Sequence, residues 1–214
     1  MPKKINSDVK IILVVALAFA IVSIVLYNIE FESDITPTTT TTTTTLQPNL
    51  RDSGTLVVVF KDDVHKIPGG GVVTSMNFTV TSVELLRNGS SDWEYVFSGE
   101  KRLDILKYTE TFAKISEAEL DAGNYTYLRV GFSDGSISVK NTLTGVYTPK
   151  TYSLIVPEIR EFSHIFEIGA AETITLVVDF DIGQSVTRTS EGYMFNPIVF
   201  IEEHYGRLSN VDAV

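Results

Sequence analysis

Two hydrophobic rhythms divide the chain. From Ile11 to Ile29 apolar residues run without a charge, and only Ser23 and Asn28 bring strongly polar side chains. From Gly54 onward apolar and polar residues alternate instead with period two. The first rhythm suits a helix that is apolar all round. At about 1.5 Å per residue it would cover roughly 28 Å, close to the hydrocarbon thickness of a bilayer. It predicts a transmembrane helix over residues 11–29. Lys3, Lys4 and Lys10 precede the run, Glu30, Glu32 and Asp34 follow it, and Tyr27 stands near its outer end as an interfacial aromatic. Positive charge stays on the cytoplasmic side, so residues 1–10 read as a cytoplasmic tail and the rest as extracellular. The competing reading is a cleaved signal peptide. "ALAFA" at Ala16–Ala20 has small residues, but apolar residues continue beyond it to Leu26, whereas signal peptides place the cleavage site at the end of a shorter run.

The second rhythm predicts strands. In "TITLVVDFD", Ile174, Leu176, Val178 and Phe180 share one face. "TYLRVGF" sends Thr126, Leu128, Val130 and Phe132 inward and Tyr127 and Arg129 outward. "SMNFTVTSVELL" carries Met76, Phe78 and Val80 on one face and then moves to Val83 and Leu85, the mark of a bulge. Similar runs occupy Leu56–Phe60, Trp93–Phe97, Tyr152–Val156, Glu161–Ile168 and Tyr193–Ile201. About eight short strands between Gly, Asn, Asp and Pro turns predict a mainly β fold. The architecture expected is a single antiparallel β-sandwich, immunoglobulin-like or transthyretin-like, over residues 54–203, with 204–214 as a C-terminal tail. One short helix is expected at Ser116–Asp121, where Ser116 and Glu119 have capping-box spacing and Gly123 follows as a stop.

Between the two rhythms lies a linker, residues 30–53. It holds eight consecutive threonines, Thr38–Thr45, between Pro37 and Pro48. Such a tract has no apolar face with which to offset the entropy of ordering, so it is expected to be disordered and extended. Its hydroxyls are candidate O-glycan acceptors; undecorated, it is a plain tether. In either form it holds the β domain away from the membrane.

Charge sharpens this division. The 214 residues carry a formal net charge of −10. Through Ile29 three lysines oppose Asp8, leaving +2; the remaining 14 basic and 26 acidic residues leave −12. An acidic ectodomain without a basic stripe repels phosphate backbones, which argues against nucleic-acid binding. Cysteine is absent, so disulfides, thiolate metal sites and cysteine nucleophiles are excluded.

Candidate chemistry is sparse. Three N-x-S/T sequons begin at Asn77, Asn88 and Asn124, each expected at the surface and open to N-glycosylation. Asp62 and Asp63 end one strand and Asp179 and Asp181 lie two apart on another. Were those strands neighbours, the four carboxylates could form an oxygen-rich Ca²⁺ site, although no D-x-D-x-D-G loop is present. Tyr125, Tyr127 and Arg129 read as one outward row, and tyrosine and arginine are common anchors of binding surfaces. The bland alternative is that a neighbouring loop covers them. His65, His164 and His204 show no ligand spacing, and no G-x-S-x-G elbow or phosphate-binding loop occurs. The chain is expected not to be an enzyme and to need no cofactor.

The order of segments carries a resemblance. "GTLVVVFKDD", "FTVTSVELL", "DWEYVF", "RLDIL", "LDAGNYTYLRVGF", "SLIVP", "TLVVDFD" and "YMFNPIV" follow one another as in the family known as domain of unknown function 4382, found in archaeal and bacterial cell-surface proteins. After Asp62 the chain departs from that family, with "DVHKIPGGG" in place of a compact aspartate-alanine-proline turn, so no role of that loop is carried over. The resemblance implies a β-sandwich with a surface-exposed adhesive or structural role and brings no catalytic residues. The reading is therefore a non-catalytic, single-pass protein of the cell membrane, held by residues 11–29, whose extracellular domain meets surface proteins or glycans. The alternative is a secreted, N-terminally processed subunit of an extracellular filament. It would assemble by strand exchange, the segment before Gly54 completing a neighbour's sheet.

Overall fold

The computed structural model describes residues 52–62, 66–67, 71–141 and 148–214. The expected tail 1–10, the expected span 11–29 and the linker through residue 51 lie outside the described residues. No helix among the described residues is long and apolar enough to cross a membrane.

The fold is mainly β. In chain order the strands are β1 (Ser53–Asp62), β2 (Lys66–Ile67), β3 (Gly71–Arg87), β4 (Trp93–Asp104), β5 (Phe112–Asp121), β6 (Gly123–Asn141) and β7 (Lys150–Ile155). They continue as β8 (Ile159–Ile168), β9 (Thr173–Phe180), β10 (Val186–Arg188), β11 (Tyr193–Phe195), β12 (Val199–Tyr205) and β13 (Val211–Ala213). A one-turn helix α1 (Ile182–Ser185) follows β9. The smaller sheet has the order β12-β9-β1-β5-β13. The larger sheet is built on the long β3–β6 ribbon. β4 and β8 flank one half of the ribbon, and β2 and the β7-β11-β10 group flank the other.

Alternation explains why the sheets face each other. Leu56, Val58 and Phe60 of β1 and Ile174, Leu176 and Val178 of β9 point into one core with Met76, Phe78 and Val80 of β3 and Leu128, Val130 and Phe132 of β6. At its centre five rings meet. Phe180 packs against Phe60 at 5.0 Å and Phe78 at 5.9 Å between centroids, and Phe195 stacks on Phe78 at 5.5 Å. Phe132 closes the group, 5.5 Å from Phe78. On one side the sheets are joined at their edges, where His164 of β8 meets Glu203 of β12 at 3.0 Å.

Three expectations need correction. The pairing is mixed, because β1–β9, β7–β11 and β5–β13 run parallel. A period-two pattern specifies which face is buried and is silent on the direction of the partner. Ser116–Asp121 is strand, not helix: it belongs to β5, paired along β1 from Ser53↔Asp121 to Phe60↔Ala113. So short a helix is marginal unless packing holds it, and the ladder to β1 prevails over the capping-box preference. The misread has a local cause as well, since a bulge opposite Val58 and Val59 breaks the alternation around Ser116.

The third correction concerns residues 204–214, which are ordered rather than a tail. β12 edges the smaller sheet beside β9, the chain then crosses the sheet's outer face, and β13 pairs with β5 at the opposite edge. Leu208 and Val211 pack there with Phe112 on Val57, Val59 and Val177. Arg207 donates through both terminal nitrogens to Glu117, and Thr111 donates to Asp212 at 3.0 Å. This strap has an acid-sensitive latch. The Arg207 guanidinium first, and then the Lys114 ammonium, hold the Glu117 carboxyl down at about 2. A folded-state value below the unfolded one contributes stability above the unfolded value, about 4.5, and loses it as pH falls toward 2. Glu117→Gln is therefore expected to lower the urea midpoint at about pH 7 and to lower it much less at about pH 2. Equal losses at both would disprove the latch.

Candidate binding face on the larger sheet

Directly paired residues on neighbouring strands share a face, so the register assembles the outer surface of the β4-β3-β6-β8 half row by row. Glu84 of β3 lies between Tyr95 of β4 and Arg129 of β6, and Arg129 is next to Glu161 of β8. One row along, Leu86 lies between Trp93 and Tyr127, and Tyr127 is next to Ser163. Tyr95 is 64% and Tyr127 40% exposed. Ile159 and Ile165, at even spacing from Glu161 on β8, are also exposed.

A buried ion pair holds this face together. Glu84 is only 3% exposed; it accepts a hydrogen bond from Arg129 and another, 3.0 Å, from the Ser82 hydroxyl. The Arg129 guanidinium lies 4.1 Å from the centre of the Trp93 ring, a cation–π contact, and 3.8 Å from Glu161. Trp93 provides the strongest such face among the aromatic residues. Arg129 is thereby fixed on three sides, by Glu84, Trp93 and Glu161. The result is a stiff surface with two exposed tyrosines, a half-buried indole and a central cation. Aromatic and arginine side chains on a rigid support lose little entropy on contact, which suits a binding surface.

Tyr125 does not join it. The register slips on both sides of β6: Leu86 and Ser163 face Tyr127, but Arg87 and Phe166 face Tyr125. The slip breaks the alternation, so Tyr125 turns into the core while Tyr127 stays outside. Tyr125 is fully buried, stacks on Phe166 at 5.6 Å and donates to the Asp121 carbonyl at 2.9 Å. Burial first, and the Glu94 carboxylate next, push its phenol up to about 12.

These strands, from the glycine-led β1 through the Phe195 segment, match the family model described as Domain of unknown function (DUF4382) over residues 53–197. The chain belongs to the DUF4382 family. No curated protein and no solved structure matches it. The family model stops before β12 and β13, so both edge strands of the smaller sheet come from residues beyond the matched segment.

Within the DUF4382 domain the expected calcium site is not assembled. β1 and β9 are neighbours, with Lys61 opposite Asp179 and Asp62 opposite Phe180. Their side chains diverge. Asp62 is buried on the inner side, whereas Asp179 is on the outer side in an ion pair with Lys61 at 2.9 Å. Asp181 caps α1 by accepting from the Gln184 N–H at 3.0 Å. Asp63 lies outside the described residues. No group of three His, Asp or Glu side chains among the described residues is placed to hold a metal ion. The register decides this: Asp62 is paired with Phe180 and not with Asp179, so the two carboxylates fall on opposite faces of the sheet.

The sequons occupy three different settings in the DUF4382 domain. Asn88 is exposed at the β3–β4 turn, Asn124 is exposed at the start of β6, and Asn77 is half-buried within β3. Trp93, Tyr95, Glu84 and Glu161 are the members of this candidate face that the sequence pattern alone does not bring together. "DWEYVF" does place Trp93 and Tyr95 on one side of a strand, but only the pairing of β4 with β3 brings them beside Arg129.

Proposed function

We propose that this chain is a single-pass membrane protein that displays its DUF4382 domain outside the cell on the Thr-rich segment. There the domain acts without catalysis, binding a surface protein or glycan through Trp93, Tyr95, Tyr127 and Arg129. The observation that carries the reading is the rigid aromatic–arginine face, with Tyr95 and Tyr127 exposed around the guanidinium clamped by Glu84 and Trp93. Support for the placement comes from the uncharged run Ile11–Ile29, the lysines before it and the acids after it.

Two measurements test the two halves of the reading. Placement predicts that the protein stays in the membrane pellet at alkaline pH, and that protease added to intact cells removes the domain. A mature chain lacking residues 1–29 and recovered in extracellular filaments would replace this reading with that of a processed subunit. Binding is tested with full-length protein in detergent against envelope fragments of the source cells. A Tyr95→Ala/Tyr127→Ala chain, which leaves the Glu84–Arg129 pair intact, is expected to bind at least about thirtyfold more weakly, the scale of a lost hot spot. Unchanged affinity would remove this face from the function.

A further inference from the structure

The three sequons are equivalent as sequence and unequal as structure. Asn88, Gly89 and Ser90 are all exposed at the tip of the β3–β4 hairpin. Gly89 takes φ +80°, with nothing within 4 Å of where a Cβ would stand, and the Ser90 N–H closes the turn on the Arg87 carbonyl at 3.0 Å. Asn124 is exposed too, but it belongs to a strand. It pairs with Glu167 of β8, its carbonyl accepts from the Asn88 N–H at 2.8 Å, and the next residue, Tyr125, is locked in the core. Its sequon hydroxyl, Thr126 Oγ1, donates to the Leu86 carbonyl of the neighbouring strand at 3.3 Å, whereas Ser90 Oγ bonds within its own turn, donating to the Asp92 carbonyl at 3.3 Å and accepting from the Asp92 N–H at 3.0 Å. Asn77 is held more firmly. It pairs with Asp104 on one side and Ser136 on the other, and its carboxamide donates to Ser75 Oγ at 2.7 Å. Phe78 is fully buried and Thr79 is 6% exposed.

An oligosaccharyltransferase draws the acceptor tripeptide into its own site, so the tripeptide must leave its neighbours. A hairpin tip does so by local motion. A strand paired on both sides with a core residue in the middle opens only with much of the domain. We propose that Asn88 is the N-glycan acceptor of the folded domain, that Asn124 accepts only while β6 is still unpaired, and that Asn77 is closed once β3 has formed. In the transfer a bond forms between Asn88 Nδ2 and the anomeric carbon of a lipid-pyrophosphate-linked oligosaccharide. The bond from that carbon to the pyrophosphate oxygen breaks, the lipid pyrophosphate leaves with the electron pair, and an amide proton is released. In the cell this rests on the extracellular placement proposed above; the acceptor geometry does not.

The test keeps the two apart. Folded full-length protein in detergent is incubated with a lipid-linked oligosaccharide and an oligosaccharyltransferase. Alongside it run three peptides, one spanning each sequon, as references for the unfolded chain. Glycopeptide mass spectrometry then gives each site's occupancy relative to its own peptide. Asn88 is expected to match its peptide, and Asn124 and Asn77 to fall at least about tenfold below theirs. Modification of Asn77 or Asn124 to the same relative extent as Asn88, or an unmodified Asn88 beside a modified Asn88 peptide, overturns the proposal. A glycan on Asn88 in this assay but absent from protein extracted from native membranes would count against the placement and leave the acceptor assignment standing.

Discussion

Phe180→Ala is expected to lower the unfolding free energy by about 3–5 kcal/mol, the usual cost of emptying a buried aromatic site. Phe180 is fully buried and touches the rings of Phe60, Phe78, Phe132 and Phe195, which belong to β1, β3, β6 and β11. It carries ring contacts from the smaller sheet to three rings of the larger one. Those neighbours are themselves pinned in strands, so they cannot collapse far into the space left behind. A loss of that size is a large part of the roughly 5–15 kcal/mol that holds an ordinary domain together. Urea unfolding should show a much lower midpoint with an unchanged slope. A loss under about 1 kcal/mol would mean that the sheets are held together elsewhere.

Arg129→Ala is expected to cost about 3 kcal/mol, the lower end of the range for breaking a buried pair. The reason lies in Glu84 more than in the arginine. At 3% exposure its carboxylate would lose its cation and keep, among the described residues, only the Ser82 hydroxyl as a hydrogen-bond partner. The double variant Glu84→Gln/Arg129→Met removes both charges and is expected to recover much of the loss, because an apolar or neutral pair avoids the desolvation penalty. A surface ion pair behaves differently, with each single change costing about 1 kcal/mol or less. Additive losses across Glu84→Gln, Arg129→Met and their double variant would therefore show that the pair is effectively solvated.

What was legible in the sequence follows from what period two can encode. Ile174, Leu176, Val178 and Phe180 were assigned to the core face from alternation alone, and they lie there. The expected bulge after Val80 exists, as a register shift between Val80 and Ser82. Alternation fails wherever the chain leaves strict pleating, and it gives no warning. Around Tyr125 the slip turns an outward residue inward; around Ser116 a bulge made a strand resemble a helix start. Partner identity was harder to see. The calcium reading needed Asp62 and Asp179 on one face, and Trp93 reached the candidate site only through the pairing of β4 with β3. The C-terminal strap was missed because "EEHYGRLSNVDAV" has too few apolar residues to announce a strand. Leu208 and Val211 suffice only because Val57, Val59 and Val177 already offer a surface.

The position of β1 sets the timetable of maturation. β1 is the first strand of the domain to be synthesised, yet it lies at the centre of the smaller sheet, where its parallel neighbour is β9, with Thr55 opposite Thr173. The sheet's two outer strands come from the last stretch of the chain. A nascent polypeptide can pair β1 with β5 once residue 121 has been made, but the other edge of β1 stays open until β9 follows, and contacts so distant along the chain slow acquisition of the native state. If the domain is exported as proposed above, that delay is an advantage, because a sheet unable to close early leaves the polypeptide threadable. Stop codons placed before residue 198 should yield chains that remain protease-sensitive however long they are incubated.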